Sequence, residues 1–588
     1  MSTSGLIGAC RAVGPHLAAA MRCLVPFLVV LLSLVLESAR AQFPRVCAQN
    51  ITARTGVCCP GYRPWDPPCG GLNRGVCLTI TDAHETFFPA KPKHMNDDRL
   101  NWPKKFFTKV CHCFGNRMGF ACHECKFGFH GRECENRRIQ KRRNIFSLSK
   151  AEQLRFMNLI EKSKTTMSDY VALKSEHHDP VDLNHQFINL TVYDFFIYIH
   201  FYSARHTYME NKTCDPGRSH FDFSHEGSGF PTFHRLLILL WEREFQKLAR
   251  DDTFMFPYWD WVGNGHECQV CTNELFGAIN YTDPKGFIDK RSRFSKWYTM
   301  CQIKYVNGSG CRFCDPVERF PGIIRKPVKN FRFPTVEEVD RILAFKNYDH
   351  SPYDETAGKN VFRNCFEGNC PMPGQKFSIH NLVHAWFNGT LSGVTTSTND
   401  PLFLVHHAMI DKLFERWMRM HKHHTTQMPE FGGPVGHHRD AAVVPMFPRH
   451  YHRWYFTDTR SLGYDYDNFD YGGRHRRLPD SYLEAMEEEA EKSLNLLALV
   501  ITIPVIFTLI FVSLMYRQQI HHAGAATCSL LVGAPPGVNM QQYRNGKHVL
   551  NGNGVHNGSI KEYLDALSSE SELDLNDHER KPFIDPSN

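Results

Sequence analysis

The chain has 588 residues, with 68 Lys and Arg against 61 Asp and Glu, 33 His, 21 Cys and a net charge of +7. Charge this dilute, with no long uninterrupted basic block, excludes a surface that tracks nucleic-acid phosphates, and an apolar content of 42% excludes a wholly disordered chain. At typical domain sizes of ~100 to 200 residues the length allows about two to four folded units, and the supply of histidine and cysteine is what stands out.

In chain order, the apolar run Leu24 to Leu36 follows Arg11 and Arg22 and ends at Ala39-Arg40-Ala41, the small-x-small form of a signal-peptidase site. Residues 1–41 are therefore expected to be a cleaved signal peptide; an N-terminal anchor is the weaker reading, because the run is shorter than the ~20 residues of a span. Residues 42–140 hold ten cysteines between Cys47 and Cys134, with many Gly and Pro and little helical periodicity. The last part, Cys113-x8-Cys122-x2-Cys125-x8-Cys134 with Gly128-Phe-His-Gly131, resembles an EGF-like unit. Cys111-His-Cys113 with Cys122-x2-Cys125 is also compatible with zinc, but thiols in an oxidising lumen form disulfides. The basic stretch Arg137 to Arg143 reads as a solvated linker, with a processing site at Lys141-Arg-Arg143 as its alternative.

Ser149-Lys-Ala-Glu152 has the form of a helix capping box and opens a main domain, 145–470, of amphipathic helices and long irregular loops. Residues 471–493 form an acidic juxtamembrane linker. Leu496 to Met515 carry no charge over 20 residues, so a membrane helix is expected over 494–516. The tail, 517–588, has too few large apolar residues for a core and reads as disordered and cytosolic; its Glu579-Arg-Lys-Pro-Phe583-Ile584 has the shape of an acidic sorting signal for an adaptor, a pattern that charged tails also produce by chance. The layout is type I with a luminal body. Eighteen cysteines between Ala41 and the apolar segment suggest nine disulfides, and sequons at Asn50, Asn189, Asn211, Asn280, Asn307 and Asn388 suggest glycosylation of the same body.

Two groups of histidines lie in apolar helical segments. His200 sits in Val192-Tyr-Asp-Phe-Phe-Ile-Tyr-Ile-His-Phe-Tyr202, followed by His225 and by His234 at the opening of another apolar helix. His380 and His384 are four apart on one helical face, and His407 lies within Phe403-Leu-Val-His-His-Ala-Met-Ile410. A buried imidazole without a partner costs on the order of 1 to 3 kcal/mol, and a metal supplies the partner. A lone core histidine more often bonds a carbonyl; two triplets are harder to explain that way. Three imidazoles per ion suit copper or zinc, and spacing does not choose between them. His421-Lys-His-His424 with His437 and His438 reads as surface histidine, with an accessory metal patch as the alternative.

The segments Phe221-Asp-Phe-Ser-His225-Glu-Gly with Phe233-His234-Arg235, Phe256-Pro-Tyr-Trp-Asp-Trp261, and His380-Asn381-x2-His384 with Asn399-Asp-Pro401-x4-His406-His407 resemble the two copper motifs of the tyrosinase family of type-3 copper proteins. The resemblance implies a mainly α fold with a four-helix bundle around a dinuclear site of two copper ions, His200, His225 and His234 on the first and His380, His384 and His407 on the second. It also implies disulfides 47–58, 59–77, 69–111, 113–122, 125–134, 268–271 and 301–314; Cys365 with Cys370 is a short-loop guess, and Cys214 with Cys311 follows by elimination.

The implied activity, with O2 as cosubstrate, is ortho-hydroxylation of monophenols such as L-tyrosine and oxidation of o-diphenols such as L-dopa to o-quinones, initiating melanin synthesis in a melanosome-like organelle. Glu367 and Asn381 match family positions that hold a water for phenol deprotonation, against an exposed loop and a helix cap as the plain alternatives. His406, Val394 and Ser397 match the family's substrate rim and favour the oxidase over tyrosinase-related proteins, which are associated with zinc, dopachrome tautomerisation or accessory roles. Oxygen carriage in the manner of haemocyanins and a non-enzymatic adhesion role fit the anchor and the histidines less well. Ligand protonation is expected to lower activity below the ordinary imidazole value of ~6.5.

Overall fold

The computed structural model describes residues 43–80, 97–173, 187–205, 221–302, 304–305, 312–314, 317–422, 427–473, 498–499 and 502–514, apart from a few single positions. The signal peptide, Cys214, Cys311, Asn211, Asn307, His423, His424 and the tail signal lie outside them. The chain divides into two compact units, Met1–Ala490 and Glu491–Asn588.

In the first unit, cysteine replaces apolar packing near the N-terminus. A three-stranded sheet has Lys109–Cys113 at its centre, parallel to Val57–Cys58 and antiparallel to Gly75–Thr79. Five disulfides pair 47–58, 59–77, 69–111, 113–122 and 125–134, leaving no thiols for the zinc alternative there. The pairs 268–271, 301–314 and 365–370 also form.

The stretch read as a solvated linker is built into the fold instead. Gln140–Arg142 is a strand that pairs in parallel with Tyr464–Tyr466. Arg142 is wholly buried between Glu242 (3.1 Å) and Asp411 (3.0 Å), which disfavours the processing-site reading as well. Partners more than 300 residues downstream are invisible to a local reading of charge. The Cys-rich region is also clamped to the main helices: Glu124 accepts from Arg243 (3.0 Å) and Lys247 (2.7 Å).

The main domain is mainly helical, as expected. Helix Lys150–Ser163 starts in the anticipated capping box, Ser149 Oγ accepting from Glu152 N and Glu152 Oε2 from Ser149 N. Four helices carry or flank the histidine motifs: Val192–Ala204, Phe230–Ala249, Ile379–Phe387 and Leu402–His421. Every side chain of Val192–Ala204 is buried, as expected of a helix apolar nearly all round. Phe230–Ala249 begins at Gly229 with proline in its first turn, where a missing N–H costs nothing, and stops at Arg250 in the left-handed region (φ 51°). The loop before Leu402–His421 is pinned by Arg325, which grips both oxygens of Asp400 (2.8 and 2.7 Å) while Asp400 accepts from Leu402 N.

In the second unit, residues 502–514 are helical and expose Phe507, Leu509, Phe511 and Leu514. Among the described residues no helix is long and apolar enough to cross a membrane; the expected span, 494–516, extends beyond the described residues.

Candidate metal centre

Each histidine is delivered by local sequence to one buried place. His200 is the ninth residue of its helix, and His234 sits in the first turns of the next. His225 is held by a tight loop: Asp222 Oδ1 accepts from the backbone N–H groups of Ser224 and His225 (2.8 Å each), so the carboxylate organises the turn that presents the ring. The ligand atoms of His200, His225 and His234 lie within 4.8 Å of one another, and so do those of His380, His384, His406 and His407. The two groups meet where His234 stacks on His407, ring centroids 4.4 Å apart and planes 17° from parallel. Phe403 stacks on His407 at 4.0 Å and meets His200 edge-on at 5.3 Å, forming an apolar wall shared by both clusters.

One ring nitrogen is anchored on four of the six histidines expected as ligands. Nδ1 of His234 donates to Phe230 O (2.9 Å), Nδ1 of His384 to Leu391 O (2.6 Å), and Nδ1 of His380 faces Glu367 O (3.1 Å) and Asn381 Oδ1 (2.9 Å). Nδ1 of His225 meets Asp222 Oδ2 at 3.1 Å. A proton held on Nδ1 leaves Nε2 as the free lone pair. Nε2 of His234 and of His380, and both ring nitrogens of His200 and His407, are buried with no hydrogen-bond partner among the described residues. Orphaned nitrogens converging in a dry core are what a pair of imidazole-bound metal ions satisfies, so the residues fit two coppers.

The electrostatics agree. Burial pulls His200, His234, His380 and His407 well below the ordinary imidazole value, and His384 to about 4. These rings stay neutral, and ligand-ready, at pH values well below the ~6.5 expected of free histidine. His225 is the exception: burial pulls it down, but the Asp222 carboxylate outweighs burial and raises it.

Glu367 is not in an exposed loop. It ends helix Phe362–Glu367, 2% exposed, and burial pushes its carboxyl up to about 6 against the pull of Arg363. Asn381 lies inside its helix, whose cap is Ser378, and spans His380 Nδ1 and Asn369 Oδ1 (3.3 Å). Gly368 makes this seating possible: at φ 130° a Cβ there would stand 2.3 Å from that of Asn381. Of the residues expected at the rim, only Val394 is exposed (43%); Ser397 is buried, and His406 is wholly buried between His380, His384 and Trp261 (ring distances 5.4, 4.8 and 5.8 Å). Its place in the wholly buried stretch Leu402–Arg419 of its helix accounts for the difference. Of the sequon asparagines, Asn189 and Asn388 are exposed and Asn280 is half-buried.

Sequence reasoning assigned no role to Asp222, although an aspartate three residues before a histidine in a Ser-containing turn is a readable signal. It also placed His437 on the surface, where the structure buries it (1% exposed) beside the first cluster.

Residues 190–420 match the common central domain of tyrosinase. The chain is 37% identical over 461 residues to the tyrosinase of Gallus gallus, covering 75% of this chain and 84% of that one, and 36% identical over 468 residues to the tyrosinase of Felis catus, covering 78% and 87%. It is 33% identical over 454 residues to the 5,6-dihydroxyindole-2-carboxylic acid oxidase of Gallus gallus, covering 73% and 83%. With both histidine clusters inside the matched region and identity extending over most of both chains, this protein is an enzyme of the tyrosinase family.

Proposed function

We propose that the chain is a copper monooxygenase and oxidase that ortho-hydroxylates monophenols, L-tyrosine among them, and oxidises o-diphenols, L-dopa among them, to o-quinones with O2 at the start of melanin synthesis. The observation that carries it is the convergence of a buried histidine triplet and a buried histidine quartet, with orphaned ring nitrogens in each, in a chain most of whose length aligns with animal tyrosinases. His200, His225 and His234 would hold one copper and His380, His384 and His407 the other; bound copper supplies O2 binding and the electron transfer that no side chain provides.

The protein's own part is to position, exclude and move protons. Carbonyl and carboxylate partners on Nδ1 fix four ring planes. Phe403, Phe230 and Phe233 pack against the rings and exclude water from the inner side of the site. Glu367, lifted toward neutrality by burial, and Asn381, fixed on His380, are the groups that would hold a water and accept the phenol proton at a Glu367 carboxylate oxygen. Val394, exposed shortly after the Leu391 whose carbonyl holds His384, is where the ring of a bound phenol would lean.

In the same reading the body is luminal and glycosylated, 1–41 is a cleaved signal, 494–516 anchors the chain in a melanosome-like membrane, and the tail meets a sorting adaptor. The relationship to a 5,6-dihydroxyindole-2-carboxylic acid oxidase supports a second reading, in which the protein acts later on indole intermediates or as a zinc-bound tautomerase. Metal content of the purified chain and O2 uptake on L-tyrosine and L-dopa separate the two. About two coppers per chain with uptake on both substrates is the expected result; zinc, or copper without uptake, rejects the oxidase and makes dopachrome the next substrate.

A further inference from the structure

His437 comes from a histidine-rich stretch that follows the second copper motif and lies far along the chain from the first. It nonetheless lies at the back of the first cluster. Its Nε2–H donates to Asp222 O (2.6 Å), and its Nδ1 accepts from Gly229 N–H (3.1 Å), so both ring nitrogens are used and the neutral Nε2–H tautomer is the one that satisfies both. Burial keeps the ring neutral, pulling it down to about 4. Asp222 is the residue whose carboxylate holds His225 Nδ1, and Gly229 caps the helix that carries His234. One imidazole thus bridges the turn presenting one ligand to the start of the helix presenting another.

The fit is close on both sides. A Cβ on Gly227 would stand 2.5 Å from the His437 ring, and one on Gly229 2.6 Å from His452. His452 stacks near His437 (6.3 Å, 18°), meets Thr232 Oγ1 at 2.7 Å and donates to Gly436 O at 2.9 Å, securing the same segment to the first turn of the His234 helix. Gly227 and Gly229 are therefore glycines because two rings press on the backbone between His225 and His234.

We infer that His437 is a positioning residue of the first metal cluster: by tying the Asp222–His225 turn to the cap of the His234 helix, it sets the distance between two ligands of one ion while leaving the second cluster untouched. This rests on the two-metal reading given above. Losing a group that orients a metal ligand typically weakens metal binding by ~10- to 100-fold, and the loss here should fall on one ion of the two.

The test is Co2+ titration of the metal-stripped full chain in detergent, followed by visible absorption and by metal analysis after dialysis. His225→Ala and His384→Ala mark the signatures of a lost first and a lost second site. Two ions on the unmodified chain are required by the two-metal reading; fewer would overturn that reading and the inference with it. Given two, His437→Phe should bind one ion normally and the other at least tenfold more weakly, reproducing the His225→Ala spectrum, and His437→Gln, which can still donate and accept, should recover part of the loss. Gly227→Ala, which pushes on the ring from the other side, should give the same one-site defect and decides the matter if His437→Phe does not fold. Two undiminished sites in His437→Phe, or equal weakening of both, would overturn the inference while leaving the two-metal reading intact.

Discussion

Arg142 offers a measurable contrast between a charge in solvent and a charge in a fold. Its side chain is wholly buried, with Nη1 3.0 Å from Asp411, Nε 3.1 Å from Glu242 and the guanidinium carbon 4.0 Å from the centre of the Tyr464 ring. In Arg142→Ala, Asp411 keeps Arg235 (2.5 Å) and the hydroxyls of Tyr464 and Tyr466 (2.6 Å each). Glu242 keeps the Phe256 backbone N–H (2.8 Å), a single neutral donor. The stranded charge is therefore Glu242, and removing one partner of a buried ion pair costs about 3–5 kcal/mol. A solvated arginine would cost within about 0.5 kcal/mol. Urea unfolding with the disulfides left oxidised reads the difference as a lower midpoint at unchanged slope. Burial already holds the Glu242 carboxyl above its ordinary value despite Arg142. Without Arg142 it rises further, so the variant takes up a proton in the folded state and its deficit shrinks as pH falls. Arg142→Ala combined with Glu242→Gln should recover part of the loss, because no charge is left unpaired. An Arg142→Ala chain with the parent's midpoint, or a double variant as unstable as the sum of the two single ones, would refute the reasoning.

Glu124 ties the Cys-rich region to the Phe230–Ala249 helix: burial pushes its carboxyl up, but Lys247 and Arg243 outweigh burial and hold it well below the usual carboxylate range. A depressed folded value means that its stabilisation is complete above the unfolded value of ~4.3 and is lost as pH falls through the folded one; Glu124→Gln should therefore lose about 2 kcal/mol at pH 7 and show a flatter acid limb in thermal unfolding, and parallel pH profiles would contradict this. Gly368→Ala, forced at φ 130° against Asn381, should unseat the partner of His380 Nδ1 and weaken metal binding at the second cluster by ~10-fold or more, visible as a selective loss in Co2+ titration; undiminished affinity would contradict the seating. Lys164→Met removes an ammonium that lies 2.5 Å from Asp194 and over the rings of Trp297 and Tyr298 (4.6 and 4.3 Å). Asp194 retains Tyr298 (3.2 Å) and Arg319 (3.3 Å), so the expected loss in urea unfolding is about 2–3 kcal/mol, below the range for a wholly stranded charge; a loss as large as that of Arg142→Ala would show that these two partners compensate nothing.

The parts of the molecule legible in the sequence are those set by short-range periodicity. His380 and His384 fall on one face because a helix repeats every 3.6 residues, and the nearly all-apolar run around His200 leaves a buried helix as its economical reading. The capping box at Ser149 is similarly local, whereas the N-terminal cysteine pairs are implied by the family resemblance. What escaped was the second ring of contacts. Arg142 and Tyr466 are 324 residues apart and share a hydrogen bond; His437 and Asp222 are 215 apart and share another. In each case the local sequence is indistinguishable from a solvated loop, since a charged or polar residue shows its burial only through a partner that topology supplies.

This division follows from what each layer of the site must do. Five of the six expected ligands point inward from helices, which advertise themselves by pattern, and His225 comes from a tight loop that Asp222 holds. The groups that aim three of the ligands are fixed only once the helices are packed, and they come from loops and a helix end: Leu391 O for His384, Glu367 O at the end of its short helix for His380, His437 acting through Asp222 for His225. Such loops are shaped by close approach, and close approach leaves its own trace in the sequence as glycine. Gly227, Gly229 and Gly368 each lie where an added Cβ would strike a side chain that seats or steadies a ligand. The glycines beside the copper motifs, rather than the histidines in them, are therefore the positions at which a one-carbon substitution should separate a protein that folds from one that binds both metals.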